Sequence, residues 1–215
     1  MSQIYLPLGE RAMGYSTTFD SPQPQLPEGK ALAMPVQTHT VNIAIAETAD
    51  FSPDTTDGLI SLRSDVAVGV RTADCVPVLL HAPDIRAIAA IHAGWRGTVG
   101  GIVERCIERL KGLGADPSLM YAAIGPCICG RCYETGAECA AAFRDAGLAA
   151  AIDSSYPREH IDLPLANLLQ LERSGLERSR IHLSGVCTHE DHRLPSWRRD
   201  EGTKERLISY VYLLP

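Results

Sequence analysis

The sequence predicts a mixed α/β domain built in layers. Short apolar segments typical of strands come in adjacent groups, outnumber the helical patterns, and do not alternate with them as in a regular βαβ fold. The 215 residues are 45% hydrophobic and 21% charged, which is typical of a globular protein and enough for one sizeable core. We therefore expect a single domain over residues 1–215.

The first half of the chain combines a loop-rich start with a group of strands. The first 35 residues are rich in Pro, Gly and polar side chains, which predicts loop with one short strand near QIYLPLG. From residue 65, the segments DVAVGVRT, CVPVLLHA and IRAIAAIHA are predicted strands. Pro77 interrupts the second of them and predicts an edge strand or a bulge, because proline cannot donate to a sheet ladder.

The second half of the chain alternates helical and strand patterns. TVGGIVERCIERLKGLG has apolar residues at 99, 102, 103, 106, 107 and 110, a helical stripe that ends at a glycine suited to a C-cap. ETGAECAAAFRDAG and DLPLANLLQLERSG predict two further helices, and LMYAAIG, RIHLSGVCT and RLISYVYLL predict strands.

Charge and cysteine content exclude several classes of protein. The net charge of −6, with no long basic run, lacks the electrostatic footprint of a nucleic-acid-binding protein. No apolar run approaches the ~20 residues of a spanning helix, and the N-terminus has no pattern of a secretory signal, so we expect a cytoplasmic protein without a membrane partner. The seven cysteines are therefore expected to be thiols used in packing, metal binding or nucleophilic chemistry.

Cys75 and His92 are the first candidates for a site. Each lies at an end of a predicted strand, and a hairpin turning near residue 84 pairs the two positions. A cysteine and a histidine at adjacent strand ends can share a metal or act as nucleophile and base. His39, in the loop-like VQTHT, would complete a three-ligand set that zinc accepts with its fourth position open.

The remaining histidines and cysteines have a simpler interpretation. Cys106 and Cys139 lie on apolar faces of predicted helices, and His81, His160 and His182 stand alone in the sequence. Such residues are most often packed and hydrogen-bonded parts of a core.

Cys127, Cys129 and Cys132 form a C-x-C-x-x-C pattern in PCICGRC. A zinc knuckle is one interpretation, although no second cluster of cysteines supplies its usual complement. Alternatively, the loop with Gly125 and Gly130 can bind an anion through backbone amides, which makes Cys127 a candidate phosphate- or substrate-binding residue.

CTHEDHRLPSWRRDEG near the C-terminus is a polar stretch that is typical of a solvated loop. Its paired arginines, Arg198 and Arg199, are also candidates for binding phosphate through two parallel hydrogen bonds.

These motifs occur in a recognisable order. TADCVPVLL, HAGWRG, IGPCI followed by CYE, and CT followed by WRRD together resemble the YfiH family, long labelled multicopper polyphenol oxidase or laccase-domain proteins. The resemblance runs from about residue 34 to the C-terminus. It implies a layered α-β-β-α sandwich with mixed sheets, similar to cysteine hydrolases of the toxin-deamidase type. It also implies a zinc held by His39, Cys75 and His92. A site of histidine and cysteine ligands accepts copper as well, so copper is the alternative metal.

The resemblance implies an enzyme acting on nucleosides. Members are associated with phosphorolysis of adenosine, inosine, guanosine and methylthioadenosine and with hydrolytic deamination of adenosine, so nucleoside and phosphate are the expected small-molecule partners. In that activity Arg96, with Arg198 or Arg199, would hold phosphate, and Trp95 would stack on the purine or pack beneath the site. Asp74 would orient a ligand histidine or act as a base.

Two other activities are associated with the family. One is an amidase that edits peptidoglycan precursors, in which Cys75 is the nucleophile and His92 its base. The other is the polyphenol oxidase of the older label, but the seven histidines contain none of the H-x-H pairs that hold multiple coppers. A binding protein that keeps the scaffold without catalysis is a further alternative.

The sequence departs from the family pattern at several positions. QTHT replaces Q-V-H-G around His39, Cys129 and Arg131 stand where many members have glycine and cysteine, and SWRRD replaces S-Y-R-R-D. The N-terminal segment lacks the S-L-N-L-G stretch that lies near the site in relatives. We therefore expect substrate selection to differ.

Overall fold

The computed structural model describes residues 3–215 as two stacked mixed sheets with helices on one of them. The strands in chain order are β1 (Ile4–Pro7), β2 (Ala12–Ser16), β3 (Ala31–Ala33), β4 (Ile43–Ile45), β5 (Gly58–Ser61), β6 (Val66–Thr72), β7 (Val76–Ala82), β8 (Ala87–Ala93), β9 (Tyr121–Ile124), β10 (Ile152–Asp153), β11 (His160–Ile161), β12 (Ile181–Leu183) and β13 (Leu207–Leu213). The helices are α1 (Trp95–Val99), α2 (Ile102–Gly112), α3 (Ala137–Asp145) and α4 (Leu163–Arg173).

Both large sheets are mixed. The five-stranded sheet has the order β1-β2-β13-β6-β3 and is antiparallel except between β3 and β6. The six-stranded sheet has the order β12-β9-β7-β8-β5-β4 and is parallel only at its two outer pairs, β12–β9 and β5–β4. The predicted mixture of helices with mixed sheets is confirmed.

The core has two main parts, one on each face of the six-stranded sheet. Between the sheets, Leu79, Ile88 and Ala123 pack against Val68 and Val211 of the five-stranded sheet. On the other face, side chains of α2, α3 and α4 are buried against the strands, which explains the helical stripe of apolar residues in α2.

The four-layered arrangement expected from the resemblance differs from what the structure has. Within residues 3–215, the buried side chains of the longer helices all belong to the core on the six-stranded sheet. The outer face of the five-stranded sheet instead carries stacked tyrosines, Tyr15, Tyr210 and Tyr212, packed with Leu26 and Leu32. The observed order of layers is therefore α-β-β, because aromatic rings and a loop cover the face where a second helical layer was expected.

Most of the elements predicted after residue 65 are present. Along the whole described chain, three parts of the prediction from sequence were wrong. The first 35 residues form three strands rather than one, since β2 and β3 join the five-stranded sheet. The predicted helix starting near residue 98 is divided, because Gly101 has φ of 73° and separates α1 from α2.

The third error concerns Pro77, which predicted an edge strand or a bulge. Strand β7 instead lies inside the sheet between β8 and β9 and pairs without a bulge. Pro77 is the second residue of the strand, and its carbonyl accepts from Gly125 beyond the last β7–β9 pair, Val78 with Ile124. The missing N–H therefore falls outside that ladder, so the sheet tolerates the proline.

Two residues interpreted as core are indeed buried in it. His81 donates from Nδ1 to the Leu8 carbonyl at 2.8 Å. Cys106 is completely buried in α2, and this burial raises its pKa to about 12. Within residues 3–215 no helix has the length and apolar character needed to cross a bilayer.

Candidate metal centre and its cavity

The β7–β8 hairpin brings Cys75 and His92 together as its register requires. Val76 pairs with Ala93 and Pro77 with His92, so Cys75 directly precedes the paired region at the end where His92 lies. His92 is 4% exposed, and Cys75 is partly exposed. The predicted proximity of the two side chains is confirmed.

His39 reaches the same place from a loop before β4. Its backbone has φ of 62°, a left-handed conformation that histidine tolerates better than most residues. Its ring meets that of His92 edge-on, with the centroids 4.9 Å apart. A nitrogen of each ring and the Cys75 sulfur lie within 4.8 Å of one another.

Asp57, directly before β5, holds this arrangement. One carboxylate oxygen accepts from His92 Nδ1 at 2.7 Å and from the His39 amide at 3.0 Å. The other accepts from the Thr38 and Thr40 amides and from the Thr40 hydroxyl. The carboxylate thus fixes the loop of His39 and the ring of His92 together, and it directs His92 Nε2 towards Cys75.

These contacts shift the pKa values of Cys75, His92 and Asp57. Burial opposes charge on Cys75, but hydrogen bonds with His39 and His92 lower its pKa to about 6. Burial also disfavours charge on His92, yet contact with Asp57 and then Cys75 raises its pKa to about 9. Burial raises the pKa of Asp57, but hydrogen bonds from His92 and Thr40 lower it, and the result is a pKa of about 2. Cys75 is therefore poised as a thiolate.

A thiolate and two imidazoles form a donor set suited to zinc. Donors of a tetrahedral zinc lie about 3.3–3.8 Å apart, since each is about 2.0–2.3 Å from the metal. The observed spread of up to 4.8 Å requires only a small contraction to reach that geometry. The three residues consequently fit a metal with one open position.

Gly94 leaves room for this set of ligands. A Cβ at this position would lie 3.1 Å from Cys75 Sγ and 3.1 Å from His39 Cδ2. Any larger residue would therefore press on two of the three ligands.

The donor set opens onto a cavity of about 740 Å³. The aromatic residues Trp95, Tyr133 and Trp197 line it, and Trp197 is one of the most exposed large hydrophobic residues in the described part of the chain. Four arginines line it as well, Arg71, Arg96, Arg198 and Arg206. Asp74 is the acidic residue in this lining, so the cavity is locally positive although the chain is acidic. Such a cavity suits an anionic ligand, such as one that carries phosphate.

The carboxylate of Asp74 is committed to other groups of the protein. It accepts from the Thr188 hydroxyl at 2.6 Å and from the Arg198 amide at 2.7 Å, and its own backbone has φ of 82°. The residue that orients a ligand histidine is Asp57 rather than Asp74. Asp74 instead joins the strand end at Cys75 to the C-terminal segment that carries Arg198.

Arg199 and Cys127 lie apart from the cavity lining. The Arg199 guanidinium binds carbonyls of the 188–194 segment, including Thr188 and Leu194, and the carboxylate of Asp200. Its donors are therefore used to hold that segment in place. Cys127 is buried and faces a separate pocket of about 300 Å³.

Several residues of the site were not found from the sequence. Asp57 is 35 residues from His92, in a segment with no recognisable motif, and only its position before a buried strand distinguishes it. Tyr133, Trp197, Arg71 and Arg206 were not singled out either, because they reach the cavity from different parts of the chain.

Known proteins resemble this chain over most of its length. The family model described as multi-copper polyphenol oxidoreductase laccase matches residues 22–214. A purine nucleoside phosphorylase of Deinococcus radiodurans is 40% identical over 177 residues, which are 82% of this chain and 68% of that protein. Adenosine deaminase RL5, from an unknown prokaryotic organism, is 33% identical over 75% of this chain and 66% of its own length.

A solved structure has the same fold. The crystal structure of the hypothetical protein YfiH of Bacillus licheniformis superposes with a TM-score of 0.84 at 23% identity, covering 94% of this chain and 92% of that one. Together with the match of the family model over residues 22–214 and the 40% identity of the Deinococcus protein, the order of the motifs places this chain in the YfiH family of laccase-like proteins.

Proposed function

We propose that this protein is a zinc-dependent purine nucleoside phosphorylase that also deaminates adenosine. The observation that carries the proposal is the meeting of a three-residue donor set with a cavity lined by four arginines and three aromatic residues. The names of the two relatives, a purine nucleoside phosphorylase and an adenosine deaminase, support the same substrate class.

His39, Cys75 and His92 are the proposed ligands of the metal. Zinc bound there would act as a Lewis acid towards a water or a substrate hydroxyl. Copper is the alternative ion, because a histidine and cysteine donor set accepts both. Asp57 would keep His92 in the tautomer that presents Nε2.

Arg96 and Arg198 are proposed to bind phosphate. In phosphorolysis, an oxygen of phosphate forms the new bond to C1′ of the ribose while the bond from C1′ to the purine N9 breaks. The guanidinium of Arg96 lies over the Trp95 ring at 4.3 Å, and that of Arg198 over the Tyr133 ring at 5.3 Å while it donates to the Glu134 carbonyl. Stacked in this way, both groups can hold phosphate at the nucleoside.

The aromatic side chains are proposed to hold the base. Each of Trp95, Tyr133 and Trp197 has an arginine over one face, so a purine of adenosine, inosine, guanosine or methylthioadenosine would stack on the other. Trp197 is the most exposed of the large hydrophobic residues in the lining. Asp74 and Arg199 enter the proposal as positioning residues, because they fix the segment that carries Arg198. We give Cys127 no part in substrate binding, since it faces another pocket.

A cysteine amidase is the second candidate function. Its support is the set of contacts that lowers the pKa of Cys75 and raises that of His92, with Asp57 behind the imidazole, as in a nucleophile, base and orienting acid. In that reaction the Cys75 sulfur would attack an amide carbon and His92 would give its proton to the departing amine. Metal content separates the two functions, because a zinc-bound thiolate is not a free nucleophile.

Chromatography of adenosine incubated with the purified protein, with and without phosphate, tests the proposal. We expect adenine and ribose 1-phosphate when phosphate is present, slow formation of inosine without it, and loss of both products in Cys75→Ala. Cys106→Ala, which removes a buried thiol that does not line the cavity, is the matched control. Arg96→Ala should raise the KM for phosphate more than that for adenosine.

No turnover of any nucleoside by a protein that contains zinc at this centre would overturn the phosphorylase. Cleavage of an amide substrate by the metal-free protein would establish the second candidate in its place.

A further inference from the structure

Four donor groups outside the cavity lie close together. The thiols of Cys129, Cys132 and Cys187 and a carboxylate oxygen of Glu190 lie within 4.8 Å of one another. Cys129 and Cys132 belong to the loop after β9, whereas Cys187 and Glu190 follow β12. The segment after β12 thus supplies the ligands that the C-x-C-x-x-C pattern lacks in its own part of the sequence.

The backbone around these thiols is already folded as a binding loop. The amides of Cys132 and Tyr133 donate to the Cys129 carbonyl, which turns the C-x-x-C segment back on itself. The Cys129 amide points at Cys187 Sγ at 3.4 Å, as an amide does towards a ligand sulfur. In the other segment, the Asp191 amide donates to the Cys187 carbonyl, and this turn brings Glu190 to the same side.

Backbone pairing joins the two segments beside the thiols. Cys127 and Cys187 form a parallel bridge, in which the Cys127 amide donates to Val186 and the Thr188 amide donates to Cys127. The donors therefore come from two loops whose relative position is fixed by hydrogen bonds.

We propose that Cys129, Cys132, Cys187 and Glu190 bind a second zinc ion, separate from the centre at His39, Cys75 and His92. Three thiolates and one carboxylate complete a tetrahedral coordination, and a site with four protein ligands is closed to substrate. The second ion is structural.

The groups around the cluster are compatible with a metal. Arg131 contacts the two oxygens of Glu190 at 3.0 and 3.2 Å, but both side chains are largely exposed, and exposed ion pairs of this kind are weak. Cys129 and Cys132 also approach one oxygen of Glu190, at 3.9 and 3.5 Å. A metal would take this oxygen and leave the other to Arg131.

The second zinc would stabilise the partners of Asp74. Ile128, next to Cys129, donates its amide to the Asp74 carbonyl, and Thr188, next to Cys187, donates its hydroxyl to the Asp74 carboxylate. An ion joining these two segments holds Asp74, and through it the strand end at Cys75. This role does not depend on which reaction the cavity performs.

Metal analysis of the reduced, purified protein tests the proposal. We expect about two zinc ions per chain in the unmodified protein and about one in the double variant Cys129→Ser, Cys132→Ser. The variant Cys75→Ser should also keep about one, and Cys139→Ala, which removes a cysteine outside both groups, should keep two. Failure of the nucleoside reaction with both ions present would contradict the proposed function alone.

Cobalt substitution distinguishes the two sites and does not depend on the double variant folding. In Cys75→Ser, the sulfur-to-cobalt charge-transfer band should have the intensity of three thiolates, those of Cys129, Cys132 and Cys187. Cobalt bound at the centre of His39, Cys75 and His92 would contribute the intensity of one thiolate. The variant Glu190→Gln, at an exposed side chain, should weaken binding roughly tenfold or more.

A single zinc in the unmodified protein, lost on substitution of Cys75 and unaffected at Cys129 and Cys132, would overturn the second site. So would a disulfide between Cys129 and Cys132, or between either and Cys187, found by peptide mass spectrometry in protein kept under reducing conditions.

Discussion

The centre at His39, Cys75 and His92 offers three ligands and faces a cavity of about 740 Å³, whereas the cluster of Cys129, Cys132, Cys187 and Glu190 offers four and joins two loops. An open coordination position allows a metal to act on a substrate, and a filled one restricts it to holding the chain. The support behind the ligands also differs. Asp57 orients the open centre through five hydrogen bonds, while backbone amides frame the closed cluster.

The two groups should therefore respond differently to the loss of their metal. Loss of metal from the open centre should remove activity and leave the fold, because Asp57 holds the loop of His39 and the ring of His92 without it. Loss of metal from the closed cluster should first remove stability. Four variants test this difference.

His39→Asn should produce the largest effect on activity. Asparagine tolerates the left-handed backbone at this exposed position but does not replace an imidazole ligand. A metal that supplies several kcal/mol to the transition state makes the expected loss in kcat/KM about 10³-fold or more. Tm by differential scanning calorimetry should change by no more than a few degrees. A fall in Tm much larger than a few degrees would show that the open centre is also structural.

Cys129→Ser with Cys132→Ser should give the largest effect on stability. A ligand present at 1,000 times its Kd adds about 4 kcal/mol to the folded state. For a chain of this size that corresponds to roughly 8–16 °C in Tm. Thermal melts of the wild type and the variant, each with and without a chelator, measure the difference. Equal melts of both proteins in zinc would contradict a structural ion.

Asp57→Asn should give an intermediate effect. The change keeps the shape of the side chain, but it removes the negative charge of the carboxylate that accepts hydrogen bonds from His92 and from the loop of His39. Loss of such a carboxylate behind a ligand histidine typically costs about 10–100-fold in metal affinity. Competition with a fluorescent chelator measures this. The second ion, at Cys129 and Cys132, should be unaffected, and a change in its affinity would contradict the independence of the two sites.

Gly94→Ala should have the smallest effect. The added methyl group would press on Cys75 and His39 at 3.1 Å, and each must shift by tenths of an ångström. Since metal distances vary by about 0.2 Å in good sites, we expect a loss of affinity of roughly three- to tenfold. Gly112→Ala in α2, where an added methyl group meets open space, is the matched control and should leave metal affinity unchanged. An unaltered affinity in Gly94→Ala would show that the ligands adapt freely.

Much of the fold after residue 65 could be predicted because its signals are local. Alternation and apolar runs indicated β6, β7 and β8, and the hairpin arithmetic placed Cys75 beside His92. The errors came from tertiary context. β2 and β3 are short and polar in their surroundings and become strands by pairing with β13 and β6. Pro77 is tolerated inside the sheet because its missing N–H falls beyond the ladder with β9.

The sites show the same limit. The proposed ligands Cys75 and His92 lie in specific motifs, but Asp57 has none, so only the folded chain reveals what orients His92. Arg199 has the residue type of a phosphate ligand, yet its donors bind carbonyls of its own segment. Cys187 and Glu190 complete the C-x-C-x-x-C pattern from 58 residues away, a distance that no pattern of spacing reveals.

The hydrogen bonds of the Asp57 carboxylate have a practical consequence for the open centre. Because the carboxylate arranges the loop of His39 and the ring of His92 by protein contacts alone, ion loading there need not be coupled to folding. The same preparation can then be emptied and recharged with zinc, copper or cobalt in turn. Phosphorolysis, deamination and phenol oxidation can each be assayed on one polypeptide, so that differences among them report the ion rather than the protein.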